Sequence, residues 1–236
     1  MLLETGTAVA LFAATFVAGG RMHPLRLFTA DQRSAVSLGA GMSAAYVFVH
    51  LLPELQEARH TLAEAVALRY EGMAVYFLAL VGFLVFYGLD HLRESAGEGD
   101  KVEQAYRIHL SGFAAYVALV AYLLVRNLEK SPLALAAYVL AMVCHFLAID
   151  HALREEHGAA FDRTGRFALA GTCVLGWAAG LLFAVPAFGL ALLLAFVSGA
   201  VIMNSAVMEL PSEQDGRFWP FVMGGVAYGL LLLPLS

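Results

Sequence analysis

Charge is scarce in this chain. Asp, Glu, Lys and Arg make up 14% of its 236 residues and hydrophobic residues 61%, whereas a soluble domain carries about 25% charge. That balance leaves no room for a separate soluble domain and points to an integral membrane protein, with membrane lipid as its first partner. Cysteine is scarcer still. Cys144 and Cys173 both fall inside apolar runs, which excludes a disulfide framework or a CxxC metal pattern and reads as two small buried hydrophobes. The eight His are scattered at 23, 50, 60, 91, 109, 145, 151 and 157, with no HxxxH or HExxH among them. This argues against an intramembrane metalloenzyme, which needs three ligands converging on a metal with an open position, and the chain is read as not an enzyme. There is no basic stripe, so no nucleic-acid partner is expected. The first residues carry no basic region before their apolar run, which reads as a retained first span rather than a cleaved signal.

What the chain has instead is eight hydrophobic runs, at about 5–20, 34–56, 72–90, 107–126, 132–152, 166–185, 188–210 and 217–235; most reach the roughly 20 residues that cross a bilayer. They predict an all-α polytopic membrane protein with one transmembrane domain over 1–236. Runs six and seven are nearly continuous and are divided at Pro186 by length. Lys and Arg are asymmetric. Ten lie in the loops after runs one, three, five and seven (Arg21, Arg26, Arg33, Arg93, Lys101, Arg107, Arg154, Arg163, Arg166, Arg217) and four on the other side (Arg59, Arg69, Arg126, Lys130). The positive-inside rule makes the richer side cytoplasmic and both termini extracytoplasmic. A bacterial inner membrane or plasma membrane is the expected location. Gly176-xxx-Gly180 and Gly225-xxx-Gly229 are faces on which helices approach closely.

Ionisable groups inside a span are costly and so become candidates for function. His145 lies about thirteen residues into run five, with Asp150 and His151 following toward the cytoplasm. Imidazole and carboxylate are ligands for zinc and similar divalent ions; equally, His145 reads as a neutral side chain bonded to a neighbouring helix. Phe86-Tyr87-Gly88-Leu89-Asp90-His91 and Phe146-Leu147-Ala148-Ile149-Asp150-His151 are alike, each followed by Leu-Arg-Glu. Asp90, His91, Asp150, His151 and His157 then form either a cytoplasmic exit for an ion or a solvated helix end. His50, before Pro53 and Glu54, is either an outer entrance or a helix stop. Asn204 and Ser205 near the middle of run seven either bond across helices or line a path.

Two segments end alike. Gly39-Ala40-Gly41-Met42-Ser43 leads to His50-Leu51-Leu52-Pro53-Glu54, and Gly199-Ala200-Val201 leads to Glu209-Leu210-Pro211-Ser212-Glu213. Runs two and seven cross the membrane in opposite directions, so the likeness suggests an inverted-topology repeat, as in secondary transporters. With His109 opening run four and His145 in run five, these residues resemble the ZIP (Zrt/Irt-like) divalent metal transporters. The resemblance implies eight helices with helices 1–3 and 6–8 repeated around helices 4–5, both termini outside, and a homodimer. It also implies His145 as the principal metal ligand, with His109 and Asp150 nearer the cytoplasm and His50 and Glu209 at the two openings. The chain departs from the family where run four reads His109-Leu110-Ser111-Gly112-Phe113 in place of His-Asn-x-x-Glu/Asp, and where Ile149 precedes Asp150 in run five. It is read as a divergent member with an eroded metal site.

The expected function is therefore transport of zinc or a similar divalent cation toward the cytoplasm, the metal being substrate and not a permanently bound cofactor. The alternative is a ZIP-fold membrane protein that has lost transport and acts as a scaffold, sensor or complex subunit.

Overall fold

The computed structural model describes residues 2–19, 32–65, 71–94, 100–126, 131–207 and 217–234. Among them every regular element is helical: α1 (Leu2–Ala18), α2 (Gln32–Tyr46), α3 (Leu52–Ala65), α4 (Glu71–Glu94), α5 (Asp100–Arg126), α6 (Pro132–Ala160), α7 (Arg166–Leu182), α8 (Ala187–Val207) and α9 (Phe218–Leu232). Two π-helical turns, Val47–Leu51 and Phe161–Gly165, join α2 to α3 and α6 to α7 without a break.

Five stretches are long and apolar enough to cross a membrane: Ser37–Leu62, Met73–Leu92, Val102–Arg126, Pro132–Leu182 and Ala187–Ala206. Leu2–Ala18 and Phe218–Leu232 are apolar but shorter. The Pro132–Leu182 stretch has 51 residues, more than two crossings of roughly 20 residues each, and it bends at Gly158, whose φ of 48° lies in the left-handed region that favours glycine.

Local chemistry explains the boundaries. Ser131 caps α6, its hydroxyl accepting from the Leu133 and Ala134 N–H groups, with Pro132 in the first turn. The stretch Phe183–Pro186 separates α7 from α8, where the sequence places the division. Pro53 has no N–H and its ring crowds the carbonyl four residues back. Just before it the helix widens, and the Leu52 N–H bonds five residues back to the Val47 carbonyl.

The helices pair as α2 with α9, α4 with α8, α5 with α7, and α1 with both α6 and α7; α2 also meets α6, and α5 meets α8. Two pairings rest on glycine. A Cβ on Gly41 would collide with the Phe221 carbonyl across the α2–α9 contact, and one on Gly199 with the Ala79 carbonyl across α4–α8. Only a residue without a side chain lets the backbones come that close. Between these pairs lies an aromatic core: Phe12 and Phe16 of α1, Phe86 of α4, Phe113 and Tyr116 of α5, and Phe146 of α6, in edge-on or tilted contacts of 5.2–6.4 Å.

Candidate metal centre

Among the described residues, one set of His, Cys, Asp or Glu side chains brings three ligand atoms within 4.8 Å of one another: His109, Glu156 and His157. His109 sits on α5 and is 2% exposed. Its Nδ1 is 3.1 Å from His157 Nε2, the two rings sharing one hydrogen bond. Glu156 Oε2 lies 3.7 Å from His109 Nδ1 and 3.8 Å from His157 Nε2. Adjacent residues on a regular helix point about 100° apart. Glu156 and His157 meet His109 together where α6 leaves helical geometry at Gly158. Aromatic rings hold the site. Phe113 meets the His109 ring at 5.0 Å and Tyr106 the His157 ring at 4.8 Å, and the Tyr106 hydroxyl donates to the Ala160 carbonyl beyond the bend.

The spacing is chemically meaningful. Four-coordinate zinc with ligands at about 2.0–2.1 Å has ligand–ligand edges of about 3.3 Å, and the three separations fall around that value. Two imidazoles and one carboxylate suit zinc and other transition-metal ions, and do not suit magnesium or calcium, which take oxygen.

His145 is placed elsewhere. It is fully buried on α6, its Nε2 hydrogen-bonded at 2.8 Å to the Tyr116 hydroxyl of α5, with Phe146 beside it. On a straight helix the twelve residues from His145 to His157 span about 18 Å, so the two histidines belong to separate levels. Asp150 is 2% exposed and receives two hydrogen bonds from Arg154 Nη2, at 2.9 and 3.0 Å; Arg154 also pairs with Asp162 and stacks over Phe161. A Cβ on Gly19 would strike the Asp150 carboxylate, so the end of α1 sits directly on this ion pair. These charges staple α1, α6 and the turn into α7.

The remaining candidates are spread out. His151 faces Glu155 at 3.4 Å, and exposed His91 stacks on Tyr87 at 6.4 Å near half-buried Asp90. His50 lies in the first π turn, 3.8 Å from Glu54 and 5.3 Å from the Tyr46 ring. Asn204 is buried on α8. Glu209 lies outside the described residues. Of the residues singled out in the sequence, His109 and His157 enter the three-ligand set. Glu156 is the ligand that sequence reasoning passed over, and the signal was present: Glu156-His157 immediately precedes Gly158, a residue able to turn both toward a neighbour.

A cavity lies farther along the same two helices. Tyr46, Leu51 and Glu54 line it with Val120, Leu123 and Leu124 of α5, Tyr138 and Met142 of α6, and Leu194, Val197 and Val201 of α8. A second, more open one shares Glu54, Leu123 and Leu194 and adds Glu57 and Thr61. From the cavity to the three-ligand set, Glu54 of α3 thus stands at the cavity, the Tyr116–His145 bond between α5 and α6 lies in the middle, and His109–Glu156–His157 at the far end. Compared with known proteins, the chain matches no protein-family profile, no curated protein and no solved structure.

Proposed function

We propose that the chain is an eight-span carrier of divalent transition-metal cations, built as an inverted repeat in the manner of the ZIP transporters, and that His109, Glu156 and His157 hold the cation on its cytoplasmic side. The observation that carries this reading is the three-ligand set at one end of the helix pair whose other end lines the cavity. The cation enters past Glu54, passes the level of Tyr116 and His145, and is taken up by two imidazoles and a carboxylate. Three protein ligands leave a position for water, which suits a cargo that has to leave again.

The repeat draws its support from the helix pairing. Exchanging α1 with α7, α2 with α8, α4 with α9 and α5 with α6 maps α2–α9 onto α8–α4, α1–α6 onto α7–α5, and α2–α6 onto α8–α5. The glycine contacts obey the same exchange. Gly41 and Gly199 each stand twelve residues before a proline, Pro53 and Pro211, and each meets the backbone of the exchanged partner. Inverted repeats of this kind alternate access by moving one unit against the other.

Zn²⁺ uptake into proteoliposomes, with Co²⁺ absorption spectra of the detergent-solubilised protein, tests the reading. The wild type is expected to transport and to give a tetrahedral Co²⁺ spectrum; His109→Ala and His157→Ala are expected to lose both. Uptake that survives in both variants removes the metal centre from the mechanism. A second reading, a ZIP-like protein that no longer transports, is favoured by one observation: Tyr116 and His145 bond to each other within an aromatic core. Absence of uptake by folded wild-type protein selects it.

A further inference from the structure

One polar group in the bundle is left without a purpose by the metal centre. Asn204 is 1% exposed, and among the described residues neither Nδ2 nor Oδ1 of its carboxamide has a hydrogen-bond partner. Buried amides are almost always satisfied, and an exception calls for a water, an ion or a functional role. Its neighbour Ser205 does not share the problem, since its hydroxyl bonds that of Ser43 at 3.0 Å and ties α8 to α2.

Position supplies the second observation. Val197 and Val201 line the cavity, and Asn204 follows them by seven and three residues, on the same face of α8. It therefore lies about 4.5 Å farther along the helix axis than Val201. The cavity walls also give the direction. Leu123 of α5 shares the more open cavity with Ala187, Leu190 and Leu194, whereas Val120 lines the inner one with Val197 and Val201. The two helices run antiparallel, and Asn204 continues the cavity toward the end of α5 that bears His109.

We infer that Asn204 is a hydrated station on the route between the cavity and the metal centre, binding water that enters the bundle, including water still carried by the cation. The carboxamide carries an acceptor oxygen and a donor NH₂ on the same carbon. A bare cation satisfies the oxygen alone, whereas water satisfies both. The repeat gives the same answer independently. Asn204 stands five residues after Gly199, as Tyr46 stands five after Gly41, and Tyr46 lines the cavity. Under the exchange of halves, Asn204 is the lining residue of the equivalent cavity facing the opposite side, closed in this conformation. The route rests on the transport reading; the hydration does not.

The test keeps the two apart. Cysteine is introduced singly as Asn204→Cys, Val201→Cys and Met203→Cys in full-length protein carrying Cys144→Ala and Cys173→Ala. Modification by methanethiosulfonate ethylammonium, a cationic reagent that reacts with a thiolate in water, is followed in proteoliposomes. Met203 is fully buried and is not a cavity-lining residue, so it serves as the reference. Asn204→Cys is expected to react like Val201→Cys and at least an order of magnitude faster than Met203→Cys. In parallel, Asn204→Leu is expected to lower Zn²⁺ uptake while melting no lower than wild type, because an unsatisfied amide has been replaced by a similar apolar volume. Asn204→Cys that reacts no faster than Met203→Cys overturns the inference, even if the wild type transports. So does undiminished uptake by Asn204→Leu. A reactive Asn204→Cys in a protein without uptake upholds the hydrated site and overturns the transport reading.

Discussion

Replacing Gly199 by alanine adds one methyl group at the tightest point of the bundle. The Cβ would fall well inside van der Waals distance of the Ala79 carbonyl, within 2.7 Å of its carbon and within 2.8 Å of the Phe83 nitrogen. All three are backbone atoms of α4, so no side chain can rotate out of the way. The helices must part by an ångström or more, which forfeits dispersion contacts along the whole α4–α8 interface, a quarter to a half of the well for each atom pair so opened. Overpacking of this kind costs about 1–3 kcal/mol, offset by roughly 0.5–1 kcal/mol from alanine's better helix propensity. The net expectation is a destabilisation of about 1–2 kcal/mol, and the same for Gly41→Ala, whose Cβ would meet the Phe221 carbonyl. Thermal unfolding in a fixed detergent measures it. Gly171 and Gly88 are the controls: both are helical with open space where a Cβ would stand, and alanine there should leave the melting temperature unchanged or raise it. If Gly199→Ala and Gly41→Ala melt with Gly171→Ala, the close crossings are not what holds these pairs, and the repeat loses its main physical support.

Tyr116→Phe removes the hydroxyl bonded to His145 in the core and is expected to cost about 1–3 kcal/mol, read from the same melts; an unchanged melting temperature refutes the bond's structural weight. Arg154→Ala withdraws the guanidinium from buried Asp150 and is expected to destabilise by about 3 kcal/mol, much of it restored by adding Asp150→Asn, since the cost lies in the stranded charge. A double variant no more stable than Arg154→Ala sinks that account. Glu156→Gln keeps the shape of the metal centre but weakens one ligand. It is expected to lower Co²⁺ affinity by an order of magnitude or more while His145→Gln leaves it unchanged; the reverse ranking would move the metal to His145.

The helical layout was legible because apolar runs of membrane-spanning length carry their own signal. Among the described residues each predicted run overlaps a helix, five stretches are long and apolar enough to cross a membrane, and Pro186 marks a real boundary. The metal centre was legible only in part. His109 stood out as an ionisable residue opening an apolar run, but its partners are set by a backbone event, the left-handed Gly158, which spacing rules for a straight helix do not anticipate. His145, an ionisable group inside a run, read either as a ligand or as a neutral side chain bonded to a neighbouring helix, and the ZIP resemblance put the ligand first. In the fold a tyrosine one helix away meets it, and no pattern within α6 could announce a partner 29 positions back in the chain. The helix crossings match Gly41 with Gly199, each twelve residues before a proline.

That pairing also locates where the two halves differ. If the repeat were perfect, the residue lining the cavity on α2 and its counterpart on α8 would be alike, and so would their surroundings. Instead Tyr46 borders a cavity, while Asn204 is buried off it with its amide unmet among the described residues. A closed state that leaves a carboxamide dry is costly, and the cost is removed when water reaches it. In the proposed carrier this is the useful direction of bias. The conformation with the opposite cavity open is favoured by hydration of Asn204, and a cation drawn past Glu54 needs only to supply the remaining difference between the two states. An apolar residue at 204 would relieve the strain and with it the bias, so Asn204→Leu should slow the opening step even where it leaves metal affinity at His109, Glu156 and His157 intact. Equal Co²⁺ affinity with lowered Zn²⁺ flux is the signature to look for, and equal flux would mean that the unmet amide is a packing defect with no part in the cycle.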